Sequence, residues 1–203
     1  MPFALVNLTK KGLLVFVFTA LAALVIHIDV RLFDSKAGED SLIEYSQDLI
    51  LLFLVIYLFI KGQKHQAHQG LLFLMSAFFS CLLIRELDGV FDHIVHGFWK
   101  YPAWIIAISA CYYSFFVHRE ATLRSLTQYM QHPSFGLMLG AMALLMIFSR
   151  LFGMGDLWEY LLQGGYARAA KNTAEEGIEL VSYTLIACAS VWYCLSLANI
   201  EKD

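Results

Sequence analysis

Long apolar runs are the feature that most restricts how this chain can fold. A helix needs about 20 mostly apolar residues to cross the hydrocarbon core of a bilayer. Segments of this kind lie at 12–30, 42–60, 70–91, 101–117, 135–152 and 176–198. A membrane β-barrel would instead show short segments of alternating polarity. The sequence therefore predicts an all-α integral membrane protein, a bundle of six transmembrane helices.

Composition agrees with this fold class. The chain has 203 residues, of which 59% are hydrophobic and 15% charged, whereas soluble domains have roughly 45–50% apolar and about 25% charged residues. No linker composition divides residues 1–203, so we expect a single polytopic domain. The net charge of −3 without a basic tract argues against nucleic-acid binding. The sequence has no nucleotide or flavin motif.

Charge placement gives an orientation. Lysines and arginines are balanced between the two sets of loops, but Arg85 and Arg150 are expected inside helices and count less. Discounting them places both termini in the cytoplasm, as in a bacterial-type inner-membrane protein. Of the 17 acidic residues, all but Glu120, Glu201 and Asp203 are predicted at the opposite, periplasmic face.

A group of acids and imidazoles at that face is the predicted functional site. On one helix continued through residues 85–100, Arg85, Asp88, Asp92 and His96 would share a stripe, because successive residues are about 100° apart. Carboxylate and imidazole suit zinc, manganese or iron. The predicted metal ligands are His27, Glu86, Asp88, Asp92, His93 and His96. Their spacing matches no known metalloenzyme motif.

Two deeper acids are the predicted catalytic residues. Ser41 with Glu44, and Thr173 with Glu176, fit the capping-box pattern at a helix start. Asp48 and Glu179 lie one turn further into their helices, where capping does not account for them. Either could serve as a general base with a raised pKa. Arg85 and Arg150 are predicted to form ion pairs, which need no function beyond fixing helix register.

Three functions are consistent with this site. The first is a metal-dependent membrane hydrolase that acts on a lipid-like substrate. The second is a small cation- or proton-coupled transporter. The third is a non-catalytic assembly or sensor protein, whose contact would be the long connection 153–175 with Trp158 and Tyr160. That connection is long enough to hold a short surface helix around residues 156–162.

The remaining expectations concern packing. Gly136 and Gly140 form a G-x-x-x-G pattern that permits close helix contact, including homo-oligomerisation. His65 and His68 are predicted in a solvated cytoplasmic loop. The lipid bilayer is the expected environment of the whole chain.

Overall fold

The structure is a computed structural model that describes residues 2–32, 41–92, 95–163 and 168–200. Within these ranges every regular element is helical. The α-helices of these ranges are α1 (Pro2–Leu32), α2 (Leu42–Lys64), α3 (Gln69–Glu86), α4 (Asp88–Asp92), α5 (Lys100–Tyr112), α6 (Arg119–Gln131), α7 (Ser134–Ala143), α8 (Ser149–Phe152), α9 (Gly155–Leu162) and α10 (Arg168–Ile200). A 3₁₀ turn covers Gln66–His68, and π-helical turns cover Tyr113–Val117 and Leu144–Phe148.

Five helical stretches are long and apolar enough to cross a membrane. They are Leu8–Arg31, Leu42–Lys64, Gln66–Glu86, Ser134–Phe152 and Arg168–Leu197. The chain is therefore an all-helical integral membrane protein, as the apolar runs predicted. Which membrane it occupies, and on which side its termini lie, stay predictions.

The predicted count of six spanning helices is not confirmed. The fourth predicted segment, 101–117, contains α5, which has 13 residues and continues as a π-helical turn. Together they cover 18 residues, at most about 27 Å at 1.5 Å per residue, which is at the short end of what crosses a hydrocarbon core of about 30 Å.

The third segment is also shorter than predicted. α3 ends at Glu86, Leu87 leaves helical geometry with φ −84° and ψ 18°, and α4 follows as a separate short helix. Asp88 and Gly89 have low helix propensity, which favours an end at this point. The prediction of one continuous stripe from Arg85 to His96 is therefore wrong.

The chain divides into two compact units. Unit 1 comprises Met1–Gln47 with Gly136–Trp192, and unit 2 comprises Asp48–Phe135 with Tyr193–Asp203. The single polytopic domain stays a prediction.

Unit 1 packs around an apolar core on α1, α7 and α10. Its most deeply buried apolar side chains are Ala22, Ile43, Ala141, Leu145, Leu180, Tyr183, Ile186 and Ala189. Gly177 allows close packing, because a Cβ there would lie 3.3 Å from Cδ1 of Ile26. Gly136 and Gly140 differ, since an added Cβ would meet nothing within 4 Å at either position. No described residue of the chain packs tightly against that face, and oligomerisation through it stays a proposal.

Unit 2 is held together by contacts of α3 with α5 and α6. Small polar side chains bond to neighbouring backbone carbonyls: Ser76 donates to Val55 over 2.9 Å, and Ser114 donates to Gly70 over 2.9 Å. Ser125 on α6 donates to the carbonyl of Ala67 over 2.8 Å. The π-helical turn at Tyr113–Val117 contains Ser114, and such turns insert an extra residue that re-aims side chains.

Candidate functional site

Buried polar side chains gather in unit 1, where helices of a membrane protein are expected to be apolar. We call this set the unit-1 polar cluster. Its members are Asp29, Ser41, Gln47, Ser149, Glu176 and Glu179. All of them are buried except Glu176, which is partly exposed. Polar and ionisable groups at membrane depth are costly and mark candidate functional sites.

Asp29, near the end of α1, holds the start of α2. Its Oδ1 accepts a hydrogen bond from the backbone N–H of Leu42 over 2.8 Å, and the side chain is fully buried. The first N–H groups of a helix have no partner inside it and favour a negative charge. Ser41 accepts from the N–H of Glu44 over 3.1 Å, which confirms the predicted serine cap of this helix. Asp29 is an additional cap that the local pattern did not reveal.

Gln47 joins α2 to α10. Its Nε2 donates to the backbone carbonyl of Glu176 over 2.8 Å and to the carboxylate of Glu176 over 3.0 Å. Thr173 was predicted to cap the last spanning helix, but α10 already begins at Arg168. Thr173 therefore lies inside the helix, and the predicted capping box with Glu176 is wrong.

Glu179, which was predicted as a catalytic acid, lies further along α10 than Glu175 and Glu176. The side chain is only 4% exposed, and the hydroxyl of Ser149 donates a hydrogen bond to its Oε1. Ser149 follows directly after the π-helical turn Leu144–Phe148. That turn changes the direction in which α8 presents its side chains, and π-helical turns are frequent at functional sites. The contact between Ser149 and Glu179 is the central feature of the cluster.

The rim of the cluster is charged. Lys171 Nζ lies 3.1 Å from Oε2 of Glu175, one helical turn away. The Glu175 carboxylate packs against the backbone of Gly153, where a side chain would not fit. A Cβ at Gly153 would come within 3.0 Å of both carboxylate oxygens. The Glu175 carboxylate therefore rests on the backbone where α8 ends.

The predicted metal ligands do not form a metal site among the described residues. Asp92 Oδ2 lies 2.7 Å from Nδ1 of His96, and Asp92 Oδ1 accepts from the N–H of Gly97 over 2.8 Å. Asp88 and His27 are exposed, and Glu86 is partly exposed. His27 belongs to unit 1, the other described ligands belong to unit 2, and His93 lies outside the described residues. Among the described residues, no group of three or more His, Cys, Asp or Glu side chains is arranged to hold a metal ion.

The other predicted residues fall as follows. Asp48, in unit 2, has a buried Oδ1 to which no described residue donates a hydrogen bond. Arg150 is exposed and Arg85 is partly exposed. Neither arginine takes part in the ion pair of Lys171 with Glu175 or in that of His96 with Asp92. Ion pairing of Arg85 and Arg150 stays a prediction.

The hydrogen bonds to Asp92 imply a pH dependence. The N–H of Gly97, then the imidazole of His96 and the charge of Lys100, hold the pKa of Asp92 below its ordinary value of 3.8. Gly97 has φ +78°, so it adopts a left-handed conformation that suits glycine. A carboxylate whose pKa is depressed on folding stabilises the protein above its unfolded pKa. That contribution is lost as the pH falls through the folded pKa.

We therefore expect Asp92→Asn to lower the melting temperature at pH 7 and to have little effect at a pH well below 3.8. Thermal unfolding in mild detergent at both pH values measures this difference. His96→Ala is the matched control and should cost less, because the His96 side chain is 97% exposed and such pairs are weak. An Asp92→Asn defect that is equal at both pH values would contradict this explanation.

Unit 2 contains an aromatic and imidazole cluster that sequence analysis missed. The Tyr193 hydroxyl lies 3.2 Å from Nδ1 of His68, and the Tyr193 ring centroid is 4.5 Å from that of Tyr129 and 5.5 Å from that of His132. Burial raises the pKa of Tyr129, which keeps its hydroxyl protonated. The prediction that His65 is solvated is wrong, because it is only 5% exposed. One sequence signal could have predicted this cluster. Tyr193 lies one turn before the end of the last spanning helix, and the loops predicted on the same side of the membrane contain several histidines.

Comparison with known proteins adds no assignment. No protein-family model, no curated protein and no solved structure matches this chain.

Proposed function

We propose that the protein is a small cation- or proton-coupled transporter in which Glu179 binds and releases the coupling ion. One observation carries this proposal: a carboxyl that is buried in a membrane-spanning helix receives a hydroxyl hydrogen bond from Ser149 on another helix. A carboxyl in such a place must bind a proton, bind a cation or accept hydrogen bonds, because an isolated charge there is costly. Intramembrane carboxyls are the usual groups of proton relays.

The chemistry of the neighbouring groups fits a small ion. Carboxylate, hydroxyl and carbonyl oxygens are ligands for hard cations, and the Ser149 hydroxyl can both donate and accept. When Glu179 is ionised, Ser149 donates to it; when Glu179 carries the proton, its own O–H can donate to the serine oxygen. The contact can therefore persist in both protonation states.

The other acids of the unit-1 polar cluster make hydrogen bonds that stabilise the fold. Asp29 caps α2, and Glu176 accepts from Gln47, so each already makes a contact that explains its presence. For Glu179 the corresponding structural explanation is a simple lock between α8 and α10. The two explanations differ in one respect: a lock needs only a hydrogen-bond acceptor, whereas ion coupling needs an ionisable group.

The metal-dependent hydrolase that the sequence also predicted has less support. It requires His93, which lies outside the described residues, and at least two further ligands. Asp92, the last residue of α4, and the exposed His96 contact one another. Zinc, manganese or iron at this site, a lipid-like substrate and location in a bacterial-type inner membrane stay proposals.

Glu179→Gln separates ion coupling from a helix lock, since glutamine keeps an acceptor but cannot be protonated or ionised. The purified protein is reconstituted into vesicles with a pH-sensitive dye inside, and a potassium gradient with valinomycin supplies the driving force. We expect wild-type vesicles to change internal pH and Glu179→Gln vesicles to do so at least about tenfold more slowly, a loss of about 1.4 kcal/mol in the transport step. Replacing sodium with choline distinguishes proton from sodium coupling.

The matched control is Glu159→Gln, which removes an exposed acid from α9 in the same unit. It should transport at the wild-type rate. Wild-type flux that persists in Glu179→Gln would establish the helix lock instead, as would an absence of sodium- and proton-dependent flux in the wild type.

A further inference from the structure

We infer that α9 (Gly155–Leu162) is an interfacial helix whose apolar face lies in the lipid of the bilayer surface. This inference is independent of the proposed transport function. It concerns a segment that the sequence had marked only as a surface helix and a partner-binding contact.

The position of α9 is set by the end of the preceding span. That span ends at Phe152, and α9 begins three residues later, a distance of at most about 10 Å for extended chain. The indole N–H of Trp158 donates to the backbone carbonyl of Phe152 over 2.6 Å, and the two rings are 6.3 Å apart. Because Trp158 lies near the middle of α9, this contact keeps the helix beside the end of the span.

The carbonyl that Trp158 binds is one of the last of its helix, which have no partner inside the helix. The contact therefore satisfies a backbone group that would otherwise need water at the edge of the bilayer. Tryptophan is enriched at this depth because its ring is apolar and its N–H is polar.

The side chains of α9 are sorted into two faces. At about 100° per residue, one broad arc of α9 holds its apolar side chains, Leu157, Trp158, Tyr160, Leu161 and Leu162. Asp156 and Glu159 occupy the opposite arc, and both are exposed. Tyr160 is 83% exposed and Leu161 is 60% exposed, so α9 leaves much of its apolar arc uncovered by the described chain.

Lipid is the occupant that these observations favour. The exposed apolar arc is next to a candidate span whose own exposed side chains include Ile147, Phe148 and Leu151, and such side chains on a spanning helix are expected to face lipid. The α9 face therefore continues an existing lipid-facing surface. Amphipathic helices of this kind bury their apolar face about 5–10 Å deep at the headgroup boundary. Most such helices carry lysine and arginine on the polar face, but α9 carries acids, so its insertion should not depend on anionic lipid.

Fluorescence quenching tests the depth of the two faces. Leu161→Cys and Glu159→Cys are made in a background where Cys81, Cys111, Cys188 and Cys194 are alanine, labelled with an environment-sensitive dye and reconstituted into phosphatidylcholine vesicles. We expect doxyl-labelled acyl chains to quench the dye at position 161 at least threefold more than at position 159. Acrylamide in water should show the reverse order, and adding phosphatidylglycerol should change neither.

Equal quenching of both positions by acrylamide would overturn the inference, because α9 would then project into water. Protection of position 161 from both quenchers would also overturn it, since a protein would then cover the face. If the cysteine-free background does not fold, benzoylphenylalanine in place of Tyr160 in the wild-type chain gives the same answer. Photolysis should yield lipid adducts, and adducts to a second copy or another protein would contradict the proposal.

Discussion

Asp29→Ala is expected to destabilise the protein by about 3 kcal/mol, because a buried N–H left without a partner costs about 1–3 kcal/mol and bonds to charged groups are stronger than neutral ones. The Asp29 carboxylate is fully buried and accepts from Leu42 at the first turn of α2. Water cannot easily replace it there. The loss should therefore exceed the roughly 1 kcal/mol that an exposed helix cap contributes.

Two further variants define the cause. Asp29→Asn keeps an acceptor oxygen at the same place and should recover more than half of the loss. Ser41→Ala removes the neighbouring cap to Glu44 and should cost about 1 kcal/mol. Unfolding in mixed detergent micelles, followed by circular dichroism, gives the free energies. If Asp29→Asn is as damaging as Asp29→Ala, the negative charge rather than the hydrogen bond is what the fold requires.

Asp29 also shows what the sequence could and could not predict. The apolar runs fixed the class of protein, because spanning a bilayer requires long uncharged helices whatever the tertiary contacts. The Ser41 cap was predictable, since its partner is three residues away. Asp29 caps the same helix from 13 residues away, and no local pattern reports a contact that depends on how the chain returns.

The error at α3 has a different cause. The predicted stripe from Arg85 to His96 assumes one continuous helix, but α3 ends at Glu86. Helix ends are the least certain part of any pattern-based assignment. Here the error removed the geometric basis of the predicted ligand stripe, because Asp92 lies on the separate helix α4 and His96 lies after the end of that helix.

Glu179 was predicted as a deep acid although the predicted start of its helix was wrong. The sequence placed it one turn past a capping box, and because α10 begins even earlier, at Arg168, Glu179 lies further inside the helix than predicted. It lies too deep in α10 to act as a cap, so the sequence alone marked it as unusual. Its partner could not be predicted, since Ser149 reaches it from a helix preceded by a π-helical turn. A π-helical turn has no clear sequence signature, and it rotates every later side chain relative to a regular α-helix.

Gly70→Ala is expected to destabilise the protein by about 2–3 kcal/mol, within the range of about 1–3 kcal/mol for overpacking a well-packed site. A Cβ at Gly70 would come 2.0 Å from Oγ1 and 3.2 Å from Cβ of Thr122 on α6. Thr122 is almost fully buried, and the Gly70 carbonyl accepts from Ser114. Neither side can move without disturbing a neighbour, so α6 would have to separate from α3.

A second substitution, at Thr122, distinguishes a steric clash with α6 from a general effect of alanine at position 70. No described residue hydrogen-bonds to its Oγ1, so Thr122→Ala alone should cost little, and combined with Gly70→Ala it should restore more than half of the stability. Such a gain is non-additive, as expected for residues in contact. Gly12→Ala is the matched control, because an added Cβ there meets nothing within 4 Å. It should be neutral or stabilise by up to about 1 kcal/mol, since alanine favours helix. If Gly70→Ala loses the same stability in the wild-type and Thr122→Ala backgrounds, the glycine is needed for some reason other than the close approach of α6.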